Sequence, residues 1–209
     1  MFNCCKTAVL AVSVLLLSGC AGMDKSQCVT ADWQTIGFED GAAGKNESTI
    51  GQYRQDCADH GVAPDLTAYR QGHRQGSERF CTRQNGFSVG KRGFAYQNSC
   101  PAMLEADFLP AYRDGQQLYQ LQRAVNAARN AFDKQQRLLS RLEQDIVVKT
   151  ELLVEDGLTR DERISLLNEI EDTKHQLIDA ADAMPGLEQN IRRAEQALAR
   201  GEQQFANYQ

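Results

Sequence analysis

Polar side chains that could act together are concentrated between residues 28 and 115. Asp40, Tyr69, His73, Arg74 and Tyr96 form one candidate groove: a carboxylate, an imidazole, a guanidinium and two phenols. That mixture suits a small polar molecule or a glycan. The same stretch repeats an aromatic residue followed three positions later by glycine, at Phe38/Gly41, Tyr69/Gly72, Phe87/Gly90 and Tyr112/Gly115. One reading is a ligand groove floored by glycine backbone. The favoured one is a packing device: each mid-helix glycine costs ~1 kcal/mol against alanine, and close approach of a neighbouring backbone or ring would offset it. Catalytic patterns are missing. There is no G-x-S-x-G, P-loop, H-E-x-x-H or dinucleotide fingerprint. His60 abuts a helix end and His175 sits among charges. The acid pairs Glu39/Asp40 and Asp161/Glu162 are sequence neighbours that diverge on a helix, a poor acid/base geometry. The expectation is a non-enzyme with no cofactor and no metal.

The start of the chain says where such a groove would be. Lys6 precedes the apolar run "AVLAVSVLLL", Ala8 to Leu17, which is too short to span a bilayer and has the length of a signal-peptide core. It ends in "LSGC", Leu17 to Cys20, which resembles the lipobox of bacterial lipoproteins; an ordinary secretory signal ending in Gly-Cys is the alternative. The resemblance implies a signal peptide at 1–19, removed in processing. It further implies acylation of Cys20 by diacylglycerol and a fatty acid such as palmitate, and a lipidated tether over 20–27. With Ala21 rather than aspartate at the next position, it implies a protein held on the periplasmic side of the outer membrane. Several acyl chains at ~0.8 kcal/mol per buried methylene make such an anchor durable. Beyond residue 19 the chain loses one basic residue, Lys6, from its 23, leaving 22 against 28 acidic ones and a net charge of −6. That argues against a nucleic-acid partner.

Cys4 and Cys5 would leave with the signal, so Cys28, Cys57, Cys81 and Cys100 remain as an even set in an oxidising compartment. Their spacings of 29, 24 and 19 contain no C-x-x-C knuckle, which argues against the alternative of a four-cysteine zinc site. Of the three pairings, Cys28–Cys57 with Cys81–Cys100 is favoured, since each bridge closes a sequential helical hairpin. Joining Cys57 to Cys81 would require the ends of a helix ~24 Å long to meet within ~6 Å.

These residues must be positioned by short helices. Hydrophobic and glycine stripes predict helices over 33–44, 47–60 and 66–82, with Gly61 as a stop and Pro64 as a fresh start. The glycine density of "NGFSVGKRGFAYQNSC" argues for a loop with a turn at Asn85-Gly86. The ordered set "W..IGFEDGAAG", "YR..CA.HGVAPD...Y..G...G....C", "GF..G..G..Y...CP" and "F..AY..G" is similar to a domain of unknown function found in uncharacterised proteobacterial lipoproteins. That resemblance covers roughly residues 28–120 and implies an envelope lipoprotein, with no reaction, ligand or functional residue attached to it.

From Pro101 onward glycine becomes rare. Leu118, Val125, Phe132, Leu139, Ile146 and Leu153 repeat every seven residues, beside a weaker companion row of Leu121, Ala128, Gln135, Leu142 and Lys149. Gly157 stops the first helix, and Thr159 with Glu162 forms a capping box for the next. That helix repeats Ile170, Leu177, Met184, Ile191, Leu198 and Phe205, with a break expected at Met184-Pro185-Gly186. Facing residues of the two rows, such as Ile146/Ile170, have indices summing to 316. Gly115 and Gly201 share that sum and are expected to face each other. The fold expected is all-α: a disulfide-bonded, glycine-rich helical domain over 28–115, then a long antiparallel coiled-coil hairpin over 116–209. One good seam buries too little for such long helices. The flank carrying Leu138, Leu152, Ile164 and Ile178 is therefore expected to meet a second copy or an envelope partner. The acidic tip lacks the Arg/Leu/Ala-rich signature of efflux adaptors. The function expected is a non-enzymatic outer-membrane lipoprotein with a structural or protein-interaction role. The alternative is a periplasmic domain that binds a small molecule or glycan, or inhibits a cell-wall hydrolase.

Overall fold

The computed structural model describes residues 22–208, and these are helical with no strand among them. The expected signal segment and the expected acylation site, Cys20, lie outside the described residues. In chain order come α1 (Lys25–Thr30), α2 (Trp33–Ala42), a 3₁₀ turn (Glu47–Thr49), α3 (Ile50–Ala58), α4 (Leu66–Phe80) and α5 (Arg83–Lys91). There follow α6 (Ala102–Leu153), α7 (Arg160–Asp182), α8 (Met184–Gln204) and a closing 3₁₀ turn (Ala206–Tyr208). Side-chain caps set many of the starts. Asp24, Asp32, Asp65 and Thr82 each accept from a backbone N–H of the following first turn, satisfying donors that have no helical partner.

The glycines explain why α2 lies on α4 and α5 on α6. A methyl group added at Gly37 or Gly41 would fall less than 3.0 Å from the Tyr69 or His73 carbonyl of α4. One added at Gly72 or Gly76 would collide with the Gln34 or Phe38 carbonyl of α2. Each step of four residues along one helix is a step of four along the other, so the two helices run parallel. The second pair repeats this, with Gly86 and Gly90 against the Phe108 and Tyr112 carbonyls and Gly115 against Phe87. Backbones this close gain weak Cα–H···O and dispersion contacts that a Cβ would forbid. The loop expected around Asn85-Gly86 is therefore helix: two glycines that disfavour an isolated helix are the surface on which α5 packs.

The equivalence of the two pairs exposes an internal duplication. The pattern G-F-x-x-G-x-x-G at 37–44 recurs 49 residues later at 86–93. Tyr53-x-x-x-Cys57 and Ala68-Tyr69-Arg70-x-Gly72 recur 43 residues later at Tyr96-x-x-x-Cys100 and Ala111-Tyr112-Arg113-x-Gly115. Gly44 and Gly93, at matching positions, both have φ near +74° (73° and 74°), and each ends its helix beneath an aromatic ring, Phe80 or Tyr119. Each repeat has its own disulfide and small core. Cys28–Cys57 packs with Trp33 and Tyr69, and Cys81–Cys100 with Val89, Phe108 and Tyr112. The favoured pairing is the one observed, and the thiols a zinc site would need are bonded in pairs. Closing loops of 29 and 19 residues should contribute about 3–4 kcal/mol per bridge. Cys28→Ala with Cys57→Ala is therefore expected to lower the urea-unfolding free energy by that amount, read by circular dichroism. A loss below about 1 kcal/mol would mean that the bridge constrains little.

Helix α6 belongs to both parts of the molecule. Its first turns form the second repeat, and it continues without interruption into the arm, so the boundary expected at 115/116 falls inside one helix. Pro110 lies within α6 and leaves the Ala106 carbonyl without its helical donor. The arm is the expected antiparallel hairpin, returning through α7 and α8, with the break at Met184-Pro185. Gln135, at a polar point of the companion row, donates to the Ala180 carbonyl at 2.9 Å. That carbonyl is one of those freed where α7 ends. Lys149, another polar member, pairs with Asp145 at 2.9 Å and Glu169 at 3.4 Å. At the tip Arg163 donates to the Leu153 and Glu155 carbonyls, closing the end of α6. Gly115 and Gly201 do not face each other. Gly115 lies three residues before Leu118 of the seam, so it points to α5, whereas Gly201 meets Leu121 and Leu118. At the root Phe87, Ala111, Leu118 and Phe205 bury one another. Tyr208 stacks on Phe87 at 4.4 Å and donates to Asp114 at 2.7 Å.

Candidate functional site

The first repeat is built around a buried carboxylate. Asp40, 3% exposed, lies one residue before Gly41 on α2, and the glycine contacts bring it under α4. The Tyr69 hydroxyl donates to its Oδ2 at 2.9 Å, the Tyr53 hydroxyl to the same oxygen at 3.0 Å, and Lys45 Nζ to Oδ1 at 2.7 Å. Three donors thus compensate the charge that burial would otherwise penalise. The phenols respond to the same surroundings: burial first, then Asp40, pushes Tyr69 far above the ordinary tyrosine range and raises Tyr53. The Asp40 hydrogen bond holds the Lys45 ammonium above its usual value.

His73 is buried beside this cluster. Its ring stacks on Tyr69 with centroids 5.9 Å apart, and its Nε2 lies 2.8 Å from the Lys45 carbonyl. A carbonyl can only accept, so Nε2 carries the proton. Ser77 Oγ lies 3.4 Å from Nδ1 and donates to the His73 carbonyl at 2.8 Å. Carboxylate and phenols are engaged with one another, and the imidazole packs on Tyr69 and bonds to the Lys45 carbonyl, which is the arrangement of a polar core. An open depression of about 560 Å³ lies over it, with Met23, Ile36, Glu39, Asp40, Lys45 and Tyr53 on its wall.

The five residues expected to line one groove therefore separate. Asp40, Tyr69 and His73 are together. Arg74 is exposed on α4. Tyr96 sits in the second core, where it donates to Glu105 at 3.0 Å and accepts from the Cys100 N–H at 3.0 Å. Tyr53 and Lys45 were not anticipated. Tyr53 lies one helical turn before the bridged Cys57 and so shares its inward face, a signal present in the sequence. In the second repeat Val89 stands where Asp40 does, and Tyr112, the counterpart of Tyr69, donates instead to the Phe94 carbonyl at 3.0 Å. The polar heart is a property of one repeat only.

Among the described residues no group of three or more His, Cys, Asp or Glu side chains is placed to hold a metal, and no helix is long and apolar enough to cross a membrane. Residues 32–117 match the model of a family described as "Protein of unknown function (DUF2799)". The match begins at the cap of α2 and ends one residue before Leu118, so it covers both paired-helix repeats and stops where the seam of the arm starts. No curated protein and no solved structure matches the chain.

Proposed function

We propose that this is a non-enzymatic, lipid-anchored protein of the cell envelope that uses its helical arm to engage another protein. The observation that carries the reading is α6, 52 residues from Ala102 to Leu153. It is fixed at its root by the glycine contacts and the Phe87 cluster, and it bears exposed apolar side chains toward its far end. At 1.5 Å per residue it is a strut of roughly 78 Å, long enough to present a binding surface far from an anchored domain. Asp40, Tyr53, Tyr69 and Lys45 are engaged with one another, and His73 beside them is only 4% exposed, which favours a structural role for that cluster. Photocrosslinkers placed along the arm in cells, with the products identified by mass spectrometry, test the reading. Adducts to one defined envelope protein are expected, and an arm without adducts would overturn it.

The anchor has its own test. Cys20→Ala is expected to abolish acylation and move the protein from the outer-membrane fraction to the soluble periplasmic one. If the variant fractionates with the membrane as before, the lipoprotein reading fails.

A further inference from the structure

The arm is divided electrically. Residues 143–182, its distal part, hold 12 acidic and 4 basic side chains, a net of −8. Residues 116–142 and 183–208, its root, hold 4 acidic and 8 basic ones, a net of +4. Among the described residues of the arm, the large exposed apolar side chains are confined to the acidic part. Val147, Val154, Ile164, Leu167 and Ile178 are between 45% and 77% exposed.

Heptad positions place these five on one flank. Counting from the seam residues Ile146 and Leu153, Val147 and Val154 stand on the side of α6 that also carries Arg129. Counting from Ile170 and Leu177, Ile164, Leu167 and Ile178 stand on the side of the returning helices that carries Glu195. The Arg129–Glu195 ion pair, 2.6 Å, shows that these are the same side of the hairpin. The opposite side holds the Lys149 pairs with Asp145 and Glu169, and with them Val148 and Leu152, less exposed at 44% and 40%. The flank expected from Leu138, Leu152, Ile164 and Ile178 therefore divides, with only Ile164 and Ile178 on the strip.

An apolar strip in an acidic field is complementary to a strip of the same kind in a basic field. We propose that this distal flank binds an amphipathic helix of a partner protein, with an apolar stripe edged by lysine and arginine. The inference rests on the arm being an interaction device and names the chemistry of what it meets. A second copy fits less well. Tip against tip would pair the apolar strips but bring two −8 segments together, and tip against root would match the charges but set the strip on a root without large exposed apolar side chains. Anionic lipid headgroups would be repelled.

Two measurements test the assignment. The first uses the whole chain carrying Cys20→Ala and a fluorescent model helix of roughly 18 residues, about five turns, with leucine on one face and lysine on the other. A leucine/glutamate helix of the same pattern is the control. The lysine helix is expected to bind, about tenfold or more weakly once salt rises from about 0.05 to about 0.5 M, and the glutamate helix is not. Ile164→Asp with Leu167→Asp should weaken binding at least tenfold. Both side chains are exposed, and unchanged helicity by circular dichroism would show the arm intact. Met103→Asp, at an exposed site far from the tip, should change nothing. Equal binding of both helices, or undiminished binding by the double variant, would overturn the proposal. So would a dimer seen by sedimentation that the double variant abolishes, because the flank would then belong to a second copy.

The second measurement places a photocrosslinker at position 167 in cells and sequences the attached peptide. A helical segment of net positive charge with an apolar stripe is expected. Adducts found only from root positions such as Arg129 would remove this inference and leave the proposed function standing. Adducts from nowhere on the arm would remove both.

Discussion

Gly72→Ala is expected to destabilise the protein by about 3 kcal/mol or more, although helix propensity alone predicts a gain of ~1 kcal/mol. The added methyl would lie closer than 3.0 Å to the Gln34 carbonyl oxygen and carbon and to the Phe38 nitrogen. All three are backbone atoms of α2 and cannot turn aside as a flexible side chain would. Relief requires moving α2 away from α4, which also opens the contacts at Gly37, Gly41 and Gly76. Overpacking a core typically costs 1–3 kcal/mol; a clash of two rigid helices belongs at or above the top of that range. Gly51→Ala in α3 is the matched control, because nothing lies within 4 Å of its new methyl. It should be neutral or stabilise by up to ~1 kcal/mol. Urea unfolding of both variants reads the contrast directly. A Gly72→Ala protein as stable as the parent would mean that the glycine rows do not hold the helices together.

That contrast also separates what local sequence dictates from what depends on distant partners. The aromatic-x-x-glycine pattern announced close packing because glycine inside a helix is costly and needs an offset. The cysteine spacings selected one pairing by reach alone. The seven-residue rows gave the arm, its turn near Gly157 and its antiparallel return. What stayed hidden depended on partners distant in sequence. Local glycine density made α5 look like a loop, because the stabilising surface is the backbone of α6, some twenty residues further on. The duplication was obscured because its two halves are offset by different amounts, 49 and 43 residues, with Val89 where Asp40 would be expected. Matching indices set Gly115 opposite Gly201, yet rotation about the helix axis turns Gly115 toward α5. The five groove candidates share chemical type, which does not say which way each faces. Only those on the inward faces of α2 and α4 came together, leaving Arg74 outside and Tyr96 in the other core.

The difference between the repeats leads to the second large effect. Asp40→Ala is expected to cost about 3 kcal/mol, because it leaves the fully buried Tyr69 hydroxyl and the Tyr53 hydroxyl without their acceptor. Lys45, half exposed, can turn to water and adds little. The sign of the pH dependence follows from the raised groups. Tyr53, Tyr69 and Lys45 all have folded-state pKa values above their ordinary ones. Their contributions are therefore fully present below the unfolded values of ~10 and ~10.4 and are lost as pH rises through the folded ones. The parent protein should thus weaken above about pH 10, and Asp40→Ala should weaken less steeply there, since part of each shift comes from the carboxylate. Absorbance titration near 295 nm should show Tyr53 and Tyr69 ionising only as the first repeat unfolds. A buried charged network can be exchanged for apolar groups at little net cost when every member is exchanged, and Val89 shows the fold accommodating valine at the equivalent place. Asp40→Val with Tyr53→Phe and Tyr69→Phe should therefore recover most of the stability that Asp40→Ala loses, with a flatter alkaline limb. If Asp40→Ala stays within about 1 kcal/mol of the parent at pH 8, the carboxylate does not hold the first repeat together. Its burial beneath the open depression would then have to be explained by something that binds there.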